Sequence, residues 1–540
     1  MGTAATKSAT WRQCLGLGSL SAALLWLSYF PANLGFLAWI ALVPLLKLVR
    51  IETTPRIRYG SVYLTGLLFY LAALSWMSVP NPMMAVAYVG LSFYCSWFPP
   101  LAIYLLRRLD HRLHWPLTVT VPLVWIPLEL MRSRFLGGFP WYLLGHTQHE
   151  IIPLIQVVDL GGVAWLSGLV AAVNGLIAEK LTRPQRTMNW QFATVALLLL
   201  GSFGYGMVRL HHAPFAEGPR VTLVQGNLLQ NVLNETLNDG NDAVSFIVKH
   251  YVDLMDLAVA TNADLYVWPE SSFPPGYDVP GPGWHEAQLG QWRETVEMTL
   301  KYIAQAGRRW RSHIIFGTNA RDIGPDGPLR KFNTAVYVAP TGIVMGRYDK
   351  MHRVPFGEFV PLQSYFPWLV HLNPYEGRDY SIAAGEEQTR FPLTVGNKTY
   401  RFGVLICYED SDAPLASGLV NGPDKVDFMV NLTNDGWFKG SQEHEQHLAI
   451  SRFRAVECRR SLVRAVNMGI SAFIDPDGRV IHLPQSTWSA SKGTTGLVTG
   501  KVPLDDRVSL FATIGDWVSW TMAALLLFLV GITVVRPVAN

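Results

Sequence analysis

A chain of 540 residues is too long for one ordinary domain, and length alone predicts about three or four. Composition points elsewhere: half of the residues are hydrophobic, only 16% are charged and mean hydropathy is +0.20, the balance of a membrane protein with a soluble part. The net charge of +4 is small, and the absence of any basic run, finger spacing or RNA-binding motif argues against nucleic acid as a partner.

Apolar runs near the ~20 residues needed to cross a bilayer fall at about 14–31, 34–49, 61–79, 84–106, 116–131, 161–178 and 190–208, with a last one at about 517–535. Eight transmembrane helices are therefore expected, the fifth being the weakest. The first run is not a cleaved signal peptide, because no small-residue cleavage site follows it and a second apolar run begins almost at once. Met1-Gly2 with Thr6 fits the myristoylation pattern, but a pattern this short arises readily by chance.

Cations set the expected topology. Alternate connections carry Lys7 and Arg12; Lys47, Arg50, Arg56 and Arg58; Arg107, Arg108 and Arg112; Lys180, Arg183 and Arg186; and finally Arg536. The connections at 31–33 and 80–83 carry none. Both termini are expected in the cytoplasm and the long block on the other side, the periplasm of a Gram-negative cell. The expected division is 1–208 for seven spans, 209–510 for the soluble domain and 511–540 for the last span.

Within the membrane part, Glu129 lies near Arg132 and Arg134, where an ionisable group is either functional or a partner that fixes the helix. His146 and His149 are spaced i, i+3 but have no visible third ligand, so no metal is expected. The four cysteines, Cys14, Cys95, Cys407 and Cys458, form no CxxC pair and no disulfide framework. Cys14, Cys95 and Cys458 read as packing residues.

From about 220 to 505 short strands alternate with helical patterns, which makes this block α/β. Strands are expected at 221–225, 264–268, 313–317, 333–339, 402–406, 427–433 and 461–467, and helices at 243–261, 288–307 and 444–460. Three strand ends carry reactive groups: Glu270 in VWPESS, Lys350 in GRYDK and Cys407 in GVLICYED. Singly, Glu270 and Lys350 would be a solvated pair at a sheet edge, and Cys407 one more inert core thiol. Together they are what acyl transfer needs: a base for the thiol proton, a nucleophile and a cation for the oxyanion. HEQH at 444–447 is one residue short of the zinc-binding HExxH spacing.

The order and surroundings of these residues resemble the Glu-Lys-Cys triad of the nitrilase superfamily of carbon–nitrogen hydrolases. NLTNDGWF at 431–438 and HLAISRFRAVECRRSLVRAVNMGIS at 447–471 are similar to its later signatures. With PLELMRSRFLGGFPWYLLGHTQ at 127–148 and Gly515-Asp516-Trp517 before the last span, nearly the whole chain resembles the apolipoprotein N-acyltransferase family. The resemblance implies an αββα sandwich between membrane helices. It also implies transfer of an acyl chain from a phospholipid donor to the N-terminal amine of a diacylglyceryl apolipoprotein, the last step of lipoprotein maturation at the bacterial inner membrane.

Carried over residue by residue, Glu270 is the base, Lys350 the oxyanion support and Cys407 the nucleophile, which would hold the acyl group as a thioester. Glu358 matches the second glutamate of the superfamily's PFGE segment, and Tyr408 and Glu409 flank the cysteine. Asn434 and Trp437, just past a strand end, are candidates to line the pocket. No cofactor is expected, and the protein is expected to be a monomer. The aromatic-rich 361–375 and the Pro/Gly-rich 273–284 are expected to form a lid or foot at the lipid surface. The rivals are a membrane-tethered amidase using the same triad and a transporter or scaffold with a dead domain.

Overall fold

The computed structural model describes residues 8–79, 84–229, 241–363, 365–372 and 381–535. The myristoylation pattern, Lys7, Arg536, the uncharged connection at 80–83 and part of the 361–375 segment lie outside these residues. The chain divides into two compact units, Met1–His212 with Ile514–Asn540, and Ala213–Thr513.

The first unit is helical. Among the described residues, four helices are long and apolar enough to cross a membrane: Met84–Leu113, Val158–Thr182, Asn189–Leu210 and Trp517–Val534. Trp11–Ser28, Pro55–Ala73 and Leu117–Arg134 have 18, 19 and 18 residues but are diluted by Ser, Thr, Gly and Arg. The run expected as one span at 34–49 is instead three short pieces, Gly35–Leu37, Ala38–Ala41 and Val43–Lys47, with Pro44 at the start of the third.

A broken helix leaves backbone groups unpaired, which is costly where no water reaches. The buried Asn174 side chain repairs this break, donating to the Ala38 carbonyl and accepting from the Leu42 N–H, each at 2.8 Å. Three carboxylates of this unit, Asp110, Asp159 and Glu179, are buried. Each faces arginine: Arg50 reaches Asp110 at 2.7 Å and Glu179 at 2.6 Å, and Arg209 reaches Asp159 at 2.8 Å.

The second unit is a four-layer sandwich. Its strands are β1 (Ala216–Gln225), β2 (Leu265–Val267), β3 (Tyr277–Pro280), β4 (His313–Gly324), β5 (Gly327–Val338), β6 (Val344–Asp349), β7 (Arg390–Val395), β8 (Lys398–Ile406), β9 (Phe428–Thr433), β10 (Ser461–Val466), β11 (Ala472–Ile474), β12 (Val480–His482) and β13 (Gly496–Leu504). One sheet runs β13-β1-β2-β4-β5-β6 with β3 on β4, and the other β12-β11-β10-β9-β8-β7. The centres of both sheets are parallel: β1, β2 and β4 in the first, β8, β9 and β10 in the second.

Alternation explains the layering, since successive side chains on a strand leave by opposite faces. On β8 and β9, Phe402, Val404, Ile406, Phe428, Val430 and Leu432 meet the other sheet's Val221, Val267, Ile315 and Tyr337. Their neighbours Leu405 and Met429 pack outward with Leu448 and Ala455 of the helix Glu443–Cys458. Helix Asn241–Ala258 covers the first sheet through Ile247, Tyr251 and Met255. Parallel strands covered on both faces are mostly apolar, and their carboxyl ends are where polar chemistry collects.

Candidate active site

Glu270, Lys350 and Cys407 each stand just beyond a strand, after β2, β6 and β8 respectively. Cys407 has a φ of +52°, the left-handed region that a side chain disfavours. At this sharp turn from β8 into the turn Cys407–Ser411, Cys407 is half-buried while Glu270 and Lys350 are buried. Asn431 Nδ2 steadies the turn by donating to the Leu405 and Cys407 carbonyls, both at 3.2 Å.

Glu270 is held from two sides. Asn333 Nδ2 donates to its Oε1 at 2.7 Å and the Asn434 N–H to its Oε2 at 2.9 Å. Gly317 lets the Glu270 backbone approach closely, since a Cβ there would lie 2.5 Å from the Glu270 Cα. Lys350 Nζ lies 2.9 Å from Glu358 Oε1 and 3.8 Å from Glu270 Oε1. Its closer partner is therefore Glu358, which also accepts from Asn333 at 3.1 Å and from the Val354 N–H at 2.8 Å.

Electrostatics follow from this packing. Burial raises the Glu270 pKa; Lys350 opposes that shift, Glu358 adds to it, and hydrogen bonds from Asn333 and the Cys407 thiol pull it back. Burial, and then the Glu270 charge, push the Cys407 thiol well above its ordinary value, against Lys350. For Lys350 burial disfavours the charge, but Glu358, Glu270 and Cys407 reverse this and raise its pKa. The resting site thus sets a neutral thiol beside the Glu270 carboxyl, with a fixed ammonium at hand. That arrangement suits proton removal at the moment of attack and support of an oxyanion.

Glu409 is wholly buried and ties two of the strand ends together. It accepts from the N–H groups of Ile406 at 2.7 Å, Met351 at 2.7 Å and His352 at 2.9 Å, and from the Tyr348 hydroxyl at 2.9 Å. The loop after Lys350 is thereby fastened to the turn that carries Cys407. Tyr408 sets its ring edge-on to His352, with centroids 5.4 Å apart. Asn434 is buried and caps the turn Asp435–Phe438, in which Trp437 is half-buried.

The other candidates lie elsewhere. Glu129 accepts from the Leu144 N–H at 2.7 Å and Trp125 Nε1 at 3.0 Å, inside the helical unit. His149 meets Asn33 at 2.9 Å, and His146 is buried. His444 accepts from the Gly440 N–H at 3.2 Å, while His447 lies between Asp410 and Asp435. Cys14, Cys95 and Cys458 are buried. Sequence reading missed Asn333 and Asn431, whose one available signal was an amide interrupting an otherwise apolar strand.

Known families match along the same division. An apolipoprotein N-acyltransferase N-terminal domain matches residues 21–176, and a carbon–nitrogen hydrolase domain matches residues 220–510. The apolipoprotein N-acyltransferase of Geobacter metallireducens is 33% identical over 522 residues, covering 94% of this chain and 92% of that protein. The chain belongs to the apolipoprotein N-acyltransferase family. The family member from Rhodopirellula baltica is 28% identical, covering 94% of both chains. Among solved structures, an amidase from Nesterenkonia sp. AN1 matches at 16% identity and a TM-score of 0.34, over 56% of this chain and 99% of that one. An apolipoprotein N-acyltransferase is an acyl-transferring enzyme of lipoprotein biosynthesis, and this chain carries both the membrane and the hydrolase-like parts of the family.

Proposed function

We propose that the chain moves an acyl chain from a phospholipid to the N-terminal amine of a diacylglyceryl apolipoprotein in two half-reactions at Cys407. In the first, Glu270 takes the thiol proton as sulfur attacks the ester carbonyl. Lys350 and the backbone N–H after the nucleophile hold the tetrahedral oxyanion. Collapse breaks the ester, Glu270 returns the proton to the departing alkoxide, and lysophospholipid leaves a thioester behind. In the second, the lipoprotein amine attacks the thioester, Glu270 accepts its proton and passes it to the sulfur, and the amide is released.

The observation that carries this reading is Glu270 held against the Cys407 thiol with Lys350 Nζ 3.8 Å from its carboxylate. Exposed Leu362, Tyr365, Phe366 and Trp368 support a lipid-handling role for their loop. The apolar runs and the cation pattern support eight crossings of the inner membrane with both termini in the cytoplasm and residues 209–510 in the periplasm. Incubation with acyl-labelled phospholipid tests the scheme: label should bind wild-type protein covalently, be released by a diacylated lipopeptide, and fail to bind Cys407→Ala. Label retained by that variant would refute the thioester.

A further inference from the structure

Behind the proposed site lies a buried ionic cluster. Arg464, on β10, is wholly buried. Its Nη1 donates to Asp410 Oδ2 and to Asn431 Oδ1, both at 2.8 Å, and its Nη2 to Asp435 Oδ2 at 2.9 Å. His447 completes the ring, with Nε2 2.8 Å from Asp410 and Nδ1 3.0 Å from Asp435. Ser451 also donates to Asp410.

Each carboxylate or amide that Arg464 grips is one step from the reaction. Asp410 shares the turn of Cys407, Asn431 donates to the Cys407 carbonyl, and Asp435 follows Asn434, whose N–H donates to Glu270. One planar guanidinium therefore fixes the turn bearing the nucleophile relative to the loop that orients the base.

Asp435, Glu443 and His447 could otherwise offer a metal three ligand atoms within 4.8 Å of one another. A cation fits poorly there. One Asp435 oxygen is taken by Arg464, and both ring nitrogens of His447 face carboxylates, an arrangement that favours the imidazolium. Two cations already balance Asp410 and Asp435.

We propose that Arg464 is a positioning residue for the acyl transfer, holding Cys407 and Glu270 in register through Asp410, Asn431 and Asp435. The inference rests on the reading of Cys407 and Glu270 given above. Lysine keeps the charge but lacks the fork that spans three acceptors, so Arg464→Lys should lower kcat by about 100-fold, as a misplacement of about 1 Å does, with KM little changed. Asp435→Asn, which loosens one arm, should cost about tenfold.

Stability alone can be separated from positioning. Burial and the Glu270 charge raise the Cys407 thiol; the charged groups acting on it are Glu270, Lys350, Asp435 and Glu358, and those acting on Arg464 are Asp435, Asp410, Glu443 and Cys407, with His447 opposed to Arg464. Loosening the turn relieves both causes. The pH profile of iodoacetamide alkylation, read on the Cys407 peptide by mass spectrometry, should then move in Arg464→Lys toward the ordinary thiol value near about 8.5.

Arg459→Lys serves as control: Arg459 is equally buried, on Asp477 at 3.2 Å, and should lower the melting temperature without moving the profile. An Arg464→Lys enzyme with kcat within threefold of wild type, or with a lowered melting temperature and an unmoved profile, would overturn the proposal. Activity lost to EDTA and restored by zinc would overturn it in favour of a metal. Should Cys407→Ala and Glu270→Gln keep acylating lipopeptide, the underlying reading fails instead.

Discussion

The helical unit and the sandwich both bury charge, but they use it differently. In the helical unit Asp110, Glu179 and Asp159 sit against arginines, and Asn174 closes a helix break; every one of these contacts satisfies a group that would otherwise be stranded. In the sandwich, buried Glu270 and Lys350 stand 3.8 Å apart beside the half-buried Cys407, so part of their charge faces the proposed nucleophile. Burial alone therefore does not mark function. The distinction is whether the pair is closed on itself or open toward a nucleophile, and substitutions in the two units should separate chemistry from stability.

The largest effects belong to the sandwich. Cys407→Ala should remove acyl-enzyme formation altogether, a loss of at least about 10⁴-fold in turnover, read as labelled protein and triacylated lipopeptide. Lys350→Met should cost about 10²–10³-fold in kcat by removing the oxyanion partner. Because it leaves Glu270 and Glu358 facing each other without a cation, it should also raise the pH below which activity falls off on the acid side. An unchanged acid limb would place Lys350 outside the electrostatics of the base.

Glu409→Gln comes next. All four of its partners are donors, so one face of an amide would point N–H at N–H and release the Lys350 loop from the Cys407 turn. About 10–100-fold in kcat is expected, with KM for phospholipid little changed. In the helical unit, by contrast, Asn174→Leu strands the Ala38 carbonyl and the Leu42 N–H and should cost about 2–6 kcal/mol of stability, at about 1–3 per lost partner. The purified enzyme should aggregate at lower temperature in detergent while kcat below that temperature holds; a selective loss of kcat would erase the contrast between the units.

How much of this was legible beforehand follows the same contrast. The proposed Glu270, Lys350 and Cys407 stood out because each sits at a strand end flanked by distinctive residues, and the parallel central strands announce themselves as apolar runs. β4 and β5 each run 12 residues, well past the stretches expected, because the halves beside the turn at 325–326 carry Arg321, Asp322, Arg330 and Lys331, charges that mask the alternation even though Asp322 is buried. β11, β12 and β13 escaped because two are three-residue strands and the third alternates weakly. The broken helices near Pro44 read as one span because hydropathy sums residues and ignores a missing backbone donor. Nothing local pointed to the partners of Asn333 or Arg464: they lie 63 residues away at Glu270 and 54 at Asp410, and only folding brings them together.

The smallest expected effect is also the most specific to the sandwich. Burial, and then the charge of Asp435, push the Glu443 carboxyl up to about 7, against about 4.3 in an unfolded chain. Between those values the folded chain holds a proton that the unfolded chain has released. The contribution of this group to stability is therefore complete below about pH 4.3 and is lost as pH rises through about 7, at no more than about 1.4 kcal/mol per pH unit. Glu409, raised to about 7 by burial, adds a slope of the same sign. Glu443→Gln mimics the protonated acid and removes only its own share, since Glu409 is common to both chains. Between pH 5 and 8 the melting temperature of the wild type should fall more steeply than that of the variant, the two curves drawing apart by a few degrees at the alkaline end. Parallel curves would mean that Glu443 is already ionised throughout this range, and that the cluster around Arg464 carries a net negative charge.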